Sequence, residues 1–221
     1  YRCGGDRGQL MSELFAQLDW AHVTGQAVVI DQLILDQPRD AERNPFGLLP
    51  EEIAALKERY PLSPIVEMDG WPIFSGTPRF DNPDATAWAF ASDLQGWNAW
   101  GMDQPRFERA GWCFSGGADP QLKGPPIRAD AGRFTHLEIA LTLDADQSEA
   151  QIFWRAPDGD FSLDNSARVP LTRGRQTYSV SLAGAPAWEG VIGQLRVDPI
   201  PGAEGQSAPE TACVHGVRLL P

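Results

Sequence analysis

No stretch of this chain approaches the roughly 18 consecutive apolar residues that a membrane-crossing helix needs, so no spanning helix is expected. Lysine is almost missing, with Lys57 and Lys123 the only two among 18 basic residues. That bias reads first as GC-rich codon usage and second as selection for the forked hydrogen bonding and ring stacking of arginine. Histidine is scarce too: His22, His136 and His215 are scattered, with no His-x-x-x-His or Cys-x-x-Cys spacing, which leaves a zinc site without support. No Gly-x-Ser-x-Gly elbow is present, and FSGGADP reads as a strand end and turn. The glycines of CGGDRG lack the lysine and the spacing of a phosphate loop.

What is abundant is negative charge. Thirty Asp and Glu against 18 Lys and Arg give a net charge of -12. Such a chain is repelled at long range by nucleic-acid backbones and anionic membrane surfaces, so neither is expected as a partner. The sequence opens on Tyr1, which points to processing or to excision from a longer chain; Cys3, two residues in, does not fit a lipidated first residue, and an anchor upstream of Tyr1 stays open. Three cysteines are too few for a disulfide scaffold. Cys113 and Cys213 nonetheless lie in two strand-like segments. Pairing them would close a loop of about 100 residues, contribute roughly 4 to 5 kcal/mol in the chain-entropy model and imply an oxidising compartment. Two buried free thiols are the alternative.

Periodicity changes near residue 85. In RGQLMSELFAQLDWAH, Leu10, Met11, Leu14, Phe15 and Leu18 recur at three- and four-residue spacing, the stripe of an amphipathic helix. QAVVIDQLIL is β-branched and apolar, a strand or a buried extended run. LLPEEIAALKERYP places Pro50 at a helix start, Glu51 and Glu52 in its first turn and Pro61 at its end. From Pro61 to Ala85 the density of Pro and Gly reads as an extended connector on a surface. The segment 1–85 is thus expected as a helical and extended arm.

From residue 86 to residue 221 nothing reads as helical. Strand-like runs recur between turn clusters: TAWAFA, GWCFSGG, THLEIALTL, EAQIFWRA, QTYSVSL, VIGQLRVDP and ACVHGVRLL. In THLEIALTL, Leu137, Ile139, Leu141 and Leu143 alternate with polar positions, the period of a sheet buried on one face. The pattern predicts an antiparallel β-sandwich. The order WAF, GW, a glycine-rich strand into GGADPQL, IFWRAPDGDFS, VPL, YSVSL, W-x-G-V-I-x-x-LRVDP and a final V-x-x-VRL resembles the jelly-roll modules similar to carbohydrate-binding modules. Such modules are accessory domains of bacterial extracytoplasmic proteins, including membrane-anchored glycosyltransferases and polysaccharide-processing enzymes. The resemblance implies a jelly-roll domain over 86–221. Some jelly-roll modules hold a structural calcium with their first and last strands. Here His215 and Gly216 stand where an acidic ligand is the pattern, which puts that calcium in doubt, and no cofactor is expected.

The segment AWAFASDLQGWNAWG holds three of the eight tryptophans. Trp88 and Phe90, two apart on a strand, share a face and are expected in the core. Trp97 and Trp100 are open between core or edge cover, sugar stacking, and docking against the arm. In IFWRAPDGDF, Ile152 and Trp154 share one face and Phe153 and Arg155 the other, so one ring faces outward; Trp154 is read either as core or as a ligand platform beside Arg155. Arg196 points away from Leu195 and Val197, toward an ion pair with Asp198 or Glu138, or toward an acidic sugar. The candidate ligand-binding residues are therefore Trp97, Trp100, Trp154, Arg155 and Arg196. The function expected is a non-catalytic extracytoplasmic module recognising a glycan or a partner protein, in the periplasm or outside the cell. The alternative is an accessory subunit on the outer face of a membrane complex. A polysaccharide hydrolase would need two carboxylates facing each other across a ring-lined cleft.

Overall fold

A computed structural model describes residues 7–29, 50–59, 63–68, 71–75, 82–117, 119–144, 149–200 and 211–221. The chain divides into two compact units, Tyr1–Arg79 and Phe80–Pro221. Cys3 and residues 30–35 of the expected second run lie outside the described residues.

The first unit carries helix α1 (Arg7–Thr24), strand β1 (Ala27–Val29), helix α2 (Pro50–Arg59) and strands β2 (Ser63–Met68) and β3 (Trp71–Ser75). In α1, Leu18, Ala21 and Thr24 are buried at helical spacing, while Trp20 on another face is half exposed. The helix ends at Gly25, whose φ of +69° is the left-handed conformation that glycine adopts without a Cβ clash. The three strands form an antiparallel sheet in the order β1-β3-β2. The stretch read as a connector thus contains two paired strands. Pro64 and Pro72 lie within these strands, and among the described residues β1 pairs with Ile73 to Ser75 of β3. The two residues between the paired Met68 and Trp71 are Asp-Gly, the dipeptide favoured in tight hairpins.

The second unit is an antiparallel β-sandwich of jelly-roll type. One sheet runs β13 (Gly174–Ser181), β10 (His136–Leu143), β16 (Ala212–Leu220), β7 (Gly111–Phe114), β6 (Arg106–Glu108), and β4 (Ala87–Ala89) also pairs with β16. The other runs β12 (Ser166–Pro170), β11 (Glu149–Arg155), β15 (Gln194–Asp198), β8 (Gln121–Lys123), β5 (Asn98–Trp100). A short ribbon joins β9 (Ala129–Asp130) to β14 (Val191–Ile192). The unit is anchored upstream of its first strand, where the Pro83 carbonyl accepts a hydrogen bond from Arg128 N.

The core follows from alternation. Leu137, Ile139, Leu141 and Leu143 of β10 are all buried, and across the pair Ile139 meets Val217 and Leu137 meets Leu219. The opposite sheet contributes Ala150, Ile152 and Trp154 of β11, Leu195 and Val197 of β15, Leu122 of β8 and Ala99 of β5. Trp88 of one sheet meets Trp97, beside β5 of the other, edge to face at 5.4 Å, and Phe90 packs on the same Trp97 at 5.6 Å. Trp154 crosses Trp188 at 5.6 Å and donates its indole N–H to the Pro186 carbonyl. Cys113 and Cys213 are directly opposite on β7 and β16, fully buried and joined by a disulfide bond.

Candidate functional site

The outer face of the five-stranded sheet brings together the half-exposed Trp100 and the half-buried Lys123, Arg155 and Arg196. Alternation sets this face. With Leu122, Ala99, Leu195 and Ile152 turned inward, the neighbours Gln121 and Lys123, Asn98 and Trp100, Arg196 and Asp198, and Gln151 and Phe153 lie on the other side of the sheet, where Gln151, Phe153 and Asp198 are nonetheless buried. The registers arrange them in rows. One row runs Asn98, Lys123, Arg196, Phe153, Ser166 across β5, β8, β15, β11 and β12. On the next row Trp100 stands opposite Gln121, and Asp198 opposite Gln151. With neighbouring strands about 4.8 Å apart, β5 and β11 are about 14 Å apart, the span of a short oligosaccharide.

Each group on the face has a definite setting. Trp100, on the edge strand, is 53% exposed. Arg196 lies 4.5 Å over the Phe153 ring and donates from Nε (2.7 Å) and Nη2 to the two oxygens of Asp198. Burial pushes the Asp198 carboxyl above its ordinary value, and the nearby Asp119 adds to this; the Arg196 hydrogen bonds and charge pull the other way without cancelling it. Arg155 donates from Nε to Gln194 Oε1 (2.9 Å) and from Nη1 to the carbonyls of Pro157 (3.2 Å) and Gly159 (2.7 Å). These bonds fold the loop after β11 back over the sheet, where the half-buried Phe161 ring lies 5.5 Å from Arg155 and 5.9 Å from Lys123 Nζ.

Of the five residues proposed from sequence, three share this face: Trp100, Arg155 and Arg196. Trp97 and Trp154 do not. Both are fully buried in the core, where the Phe90, Trp88 and Trp188 rings occupy the space a sugar would need. Arg196 takes the ion pair with Asp198. Lys123 and Phe161 also lie on this face and carry no motif in the sequence. Lys123 was visible only as a rare residue type, and Phe161 sits in a loop whose fold-back no periodicity announces.

The other sheet has a groove of about 490 Å³ on its outer side, lined by Gln95, Glu138, Ala140, Arg175, Thr177 and Arg218 among others. Glu138 and Arg218 pair across its floor, and no exposed ring lines it. Nearby, His215 is buried at a bulge in β16, its Nε2 on the Thr142 hydroxyl (2.7 Å) and its Nδ1 on the Ala110 carbonyl (3.1 Å). A Cβ on Gly111 would come within 2.5 Å of that imidazole, so the ring and the missing side chain are complementary. Among the described residues the one metal-like grouping is Glu108 with Cys113 and Cys213, whose sulfurs are bonded to each other and are not thiolates. Among those residues no helix is long and apolar enough to cross a membrane.

No family model and no curated protein matches the chain. Solved structures do. A xylan-binding module of family 86 from Roseburia intestinalis is similar at 17% identity and a TM-score of 0.41, covering 61% of this chain and 95% of the module. The second N-terminal cellulose-binding domain of a β-1,4-glucanase from Cellulomonas fimi matches at 14% identity and a TM-score of 0.42, covering 63% and 93%. A β-1,3-glucan-binding module of family 6 from Bacillus halodurans matches at 14% identity and 0.41, covering 65% and 100%. These three are carbohydrate-binding modules or domains, and a family 43 arabinoxylan arabinofuranohydrolase from Bacillus subtilis is also similar, at 10% identity and a TM-score of 0.40, covering 70% of this chain and 32% of that one.

Proposed function

We propose that the Phe80–Pro221 unit is a non-catalytic glycan-binding module that uses the outer face of its five-stranded sheet. The observation that carries the reading is Trp100: a half-exposed indole on an edge strand, beside outward Asn98, Gln121, Lys123 and Arg196. An exposed indole gives up water-facing apolar surface when a pyranose C–H face covers it, and the polar neighbours then hydrogen-bond the ring hydroxyls. A contact that rests on one indole is weak, and tethering to a larger assembly strengthens it. The carboxylate of Asp198 is engaged by Arg196, which favours binding over hydrolysis on this face. The disulfide supports an extracytoplasmic setting, because such bonds persist in oxidising compartments.

Glycan-array binding of the whole chain, with tryptophan fluorescence as a second readout, tests this. Trp100→Ala should abolish binding and leave the melting temperature within about 2 °C, since a half-exposed edge residue carries little of the core. Glycan binding that survives Trp100→Ala undiminished would remove this face from consideration.

A further inference from the structure

We propose that the glycan is an acidic one, and that Lys123 and Arg155 receive the carboxylate of a uronic acid beside Phe161. This rests on the glycan-binding reading and specifies its ligand. The support is a contrast within the sandwich. Arg106, Arg109, Arg168, Arg196 and Arg218 each lie within 4 Å of a carboxylate. Arg128, Arg133 and Arg175 have no such neighbour among the described residues but are exposed, so water compensates them. Lys123 and Arg155 differ from both groups: they are half-buried, and neither has a carboxylate within 4 Å among the described residues. In a chain with 30 acidic residues, two partly desolvated cations on one face have no carboxylate within 4 Å among the described residues.

Their hydrogen-bonding capacity points the same way. The Nε and Nη1 groups of Arg155 are held by Gln194, Pro157 and Gly159, which fixes the guanidinium plane and leaves Nη2 with no acceptor among the described residues. The Lys123 ammonium has the Phe161 ring and no acceptor there. Both groups offer donors and positive charge, the complement of an anion rather than of a neutral hydroxyl, which also asks for acceptors. The sugar to which the carboxylate belongs is placed by the register. Lys123 is opposite Asn98, so Trp100, two residues on, is its diagonal neighbour across the β5–β8 pair. One residue of an oligosaccharide can stack on Trp100 while an adjoining uronate reaches Lys123. The net charge of -12 does not forbid this, because remote carboxylates are screened beyond about 8 Å at physiological ionic strength.

The test is titration of the whole chain with polygalacturonate and alginate, with fully methyl-esterified polygalacturonate, and with xylohexaose. The first two are expected to bind at least tenfold more tightly than the last two, and Lys123→Met, which keeps an unbranched side chain of similar length, should erase that preference. Equal affinity for the esterified polymer, or a preference that persists in Lys123→Met, overturns the assignment. Trp100-dependent binding of neutral xylohexaose with no preference for uronates would overturn it while leaving the module reading in place. Binding to none of the four overturns the uronate assignment, while the module reading stands or falls on the glycan array.

Discussion

Removing the Cys113–Cys213 bond by the double substitution Cys113→Ala/Cys213→Ala should lower the stability of the sandwich through its unfolded state. The two residues are 100 positions apart, and a loop of that length corresponds to about 4.7 kcal/mol of chain entropy. For a unit the size of Phe80–Pro221, that translates into a melting temperature lower by roughly 10 to 20 °C. The mechanism predicts a second observable. Freed of the cross-link, the unfolded chain expands and exposes more surface, so the slope of stability against denaturant should rise as the midpoint falls. Urea unfolding of both forms, followed by tryptophan fluorescence, measures midpoint and slope together. Because both sulfurs are fully buried, reductant should act on the native protein only as fast as it opens. A loss below about 1 kcal/mol with an unchanged slope would refute the entropic account.

The core assignment of the other rings gives a sharper split. Trp97→Ala and Trp154→Ala should each destabilise the unit by about 3 to 5 kcal/mol, measured by chemical denaturation, whereas Trp100→Ala should not. Asp198 gives a pH prediction. Its folded value is raised, so its contribution to stability is fully present below the ordinary value of 3.8 and is lost as pH rises through the folded value. Asp198→Asn should flatten that decline in urea midpoints taken across the acidic range; an unchanged profile would mean another carboxyl group is responsible.

Much of the sandwich is legible in the sequence because β10 and β15 obey a strict period of two with one apolar face. Leu137 to Leu143, and Leu195 with Val197, fall in the core where alternation puts them. The same rule placed Arg155, Arg196 and Phe153 on the opposite side. It failed for Trp97 because that residue sits in a turn, where no period applies and only the approach of Trp88, Phe90 and Gly124 buries it. Trp154 was ambiguous between sides until its strand acquired neighbours. The Pro-rich stretch after Pro61 hid β2 and β3, since proline's missing N–H matters only where a partner strand would call on it. Lys123 lies on a three-residue strand too short to show a pattern, and its neighbours Asn98 and Arg196 come from strands distant in sequence.

The pairing of β4 with β16 has a consequence for how the molecule is made. Trp88 and Val217 are partners although they lie 129 positions apart along the chain, and β16 also forms the centre of its sheet, flanked by β10 and β7. As the polypeptide leaves the ribosome or a translocon, β10 must wait for β16 before its second edge is satisfied. Sheets dominated by such distant pairings nucleate late and slowly. The emerging chain therefore holds Leu137, Ile139 and Leu141 without their cover until synthesis reaches residues 212–220, and a chaperone that shields apolar strands would have its period of work in that interval.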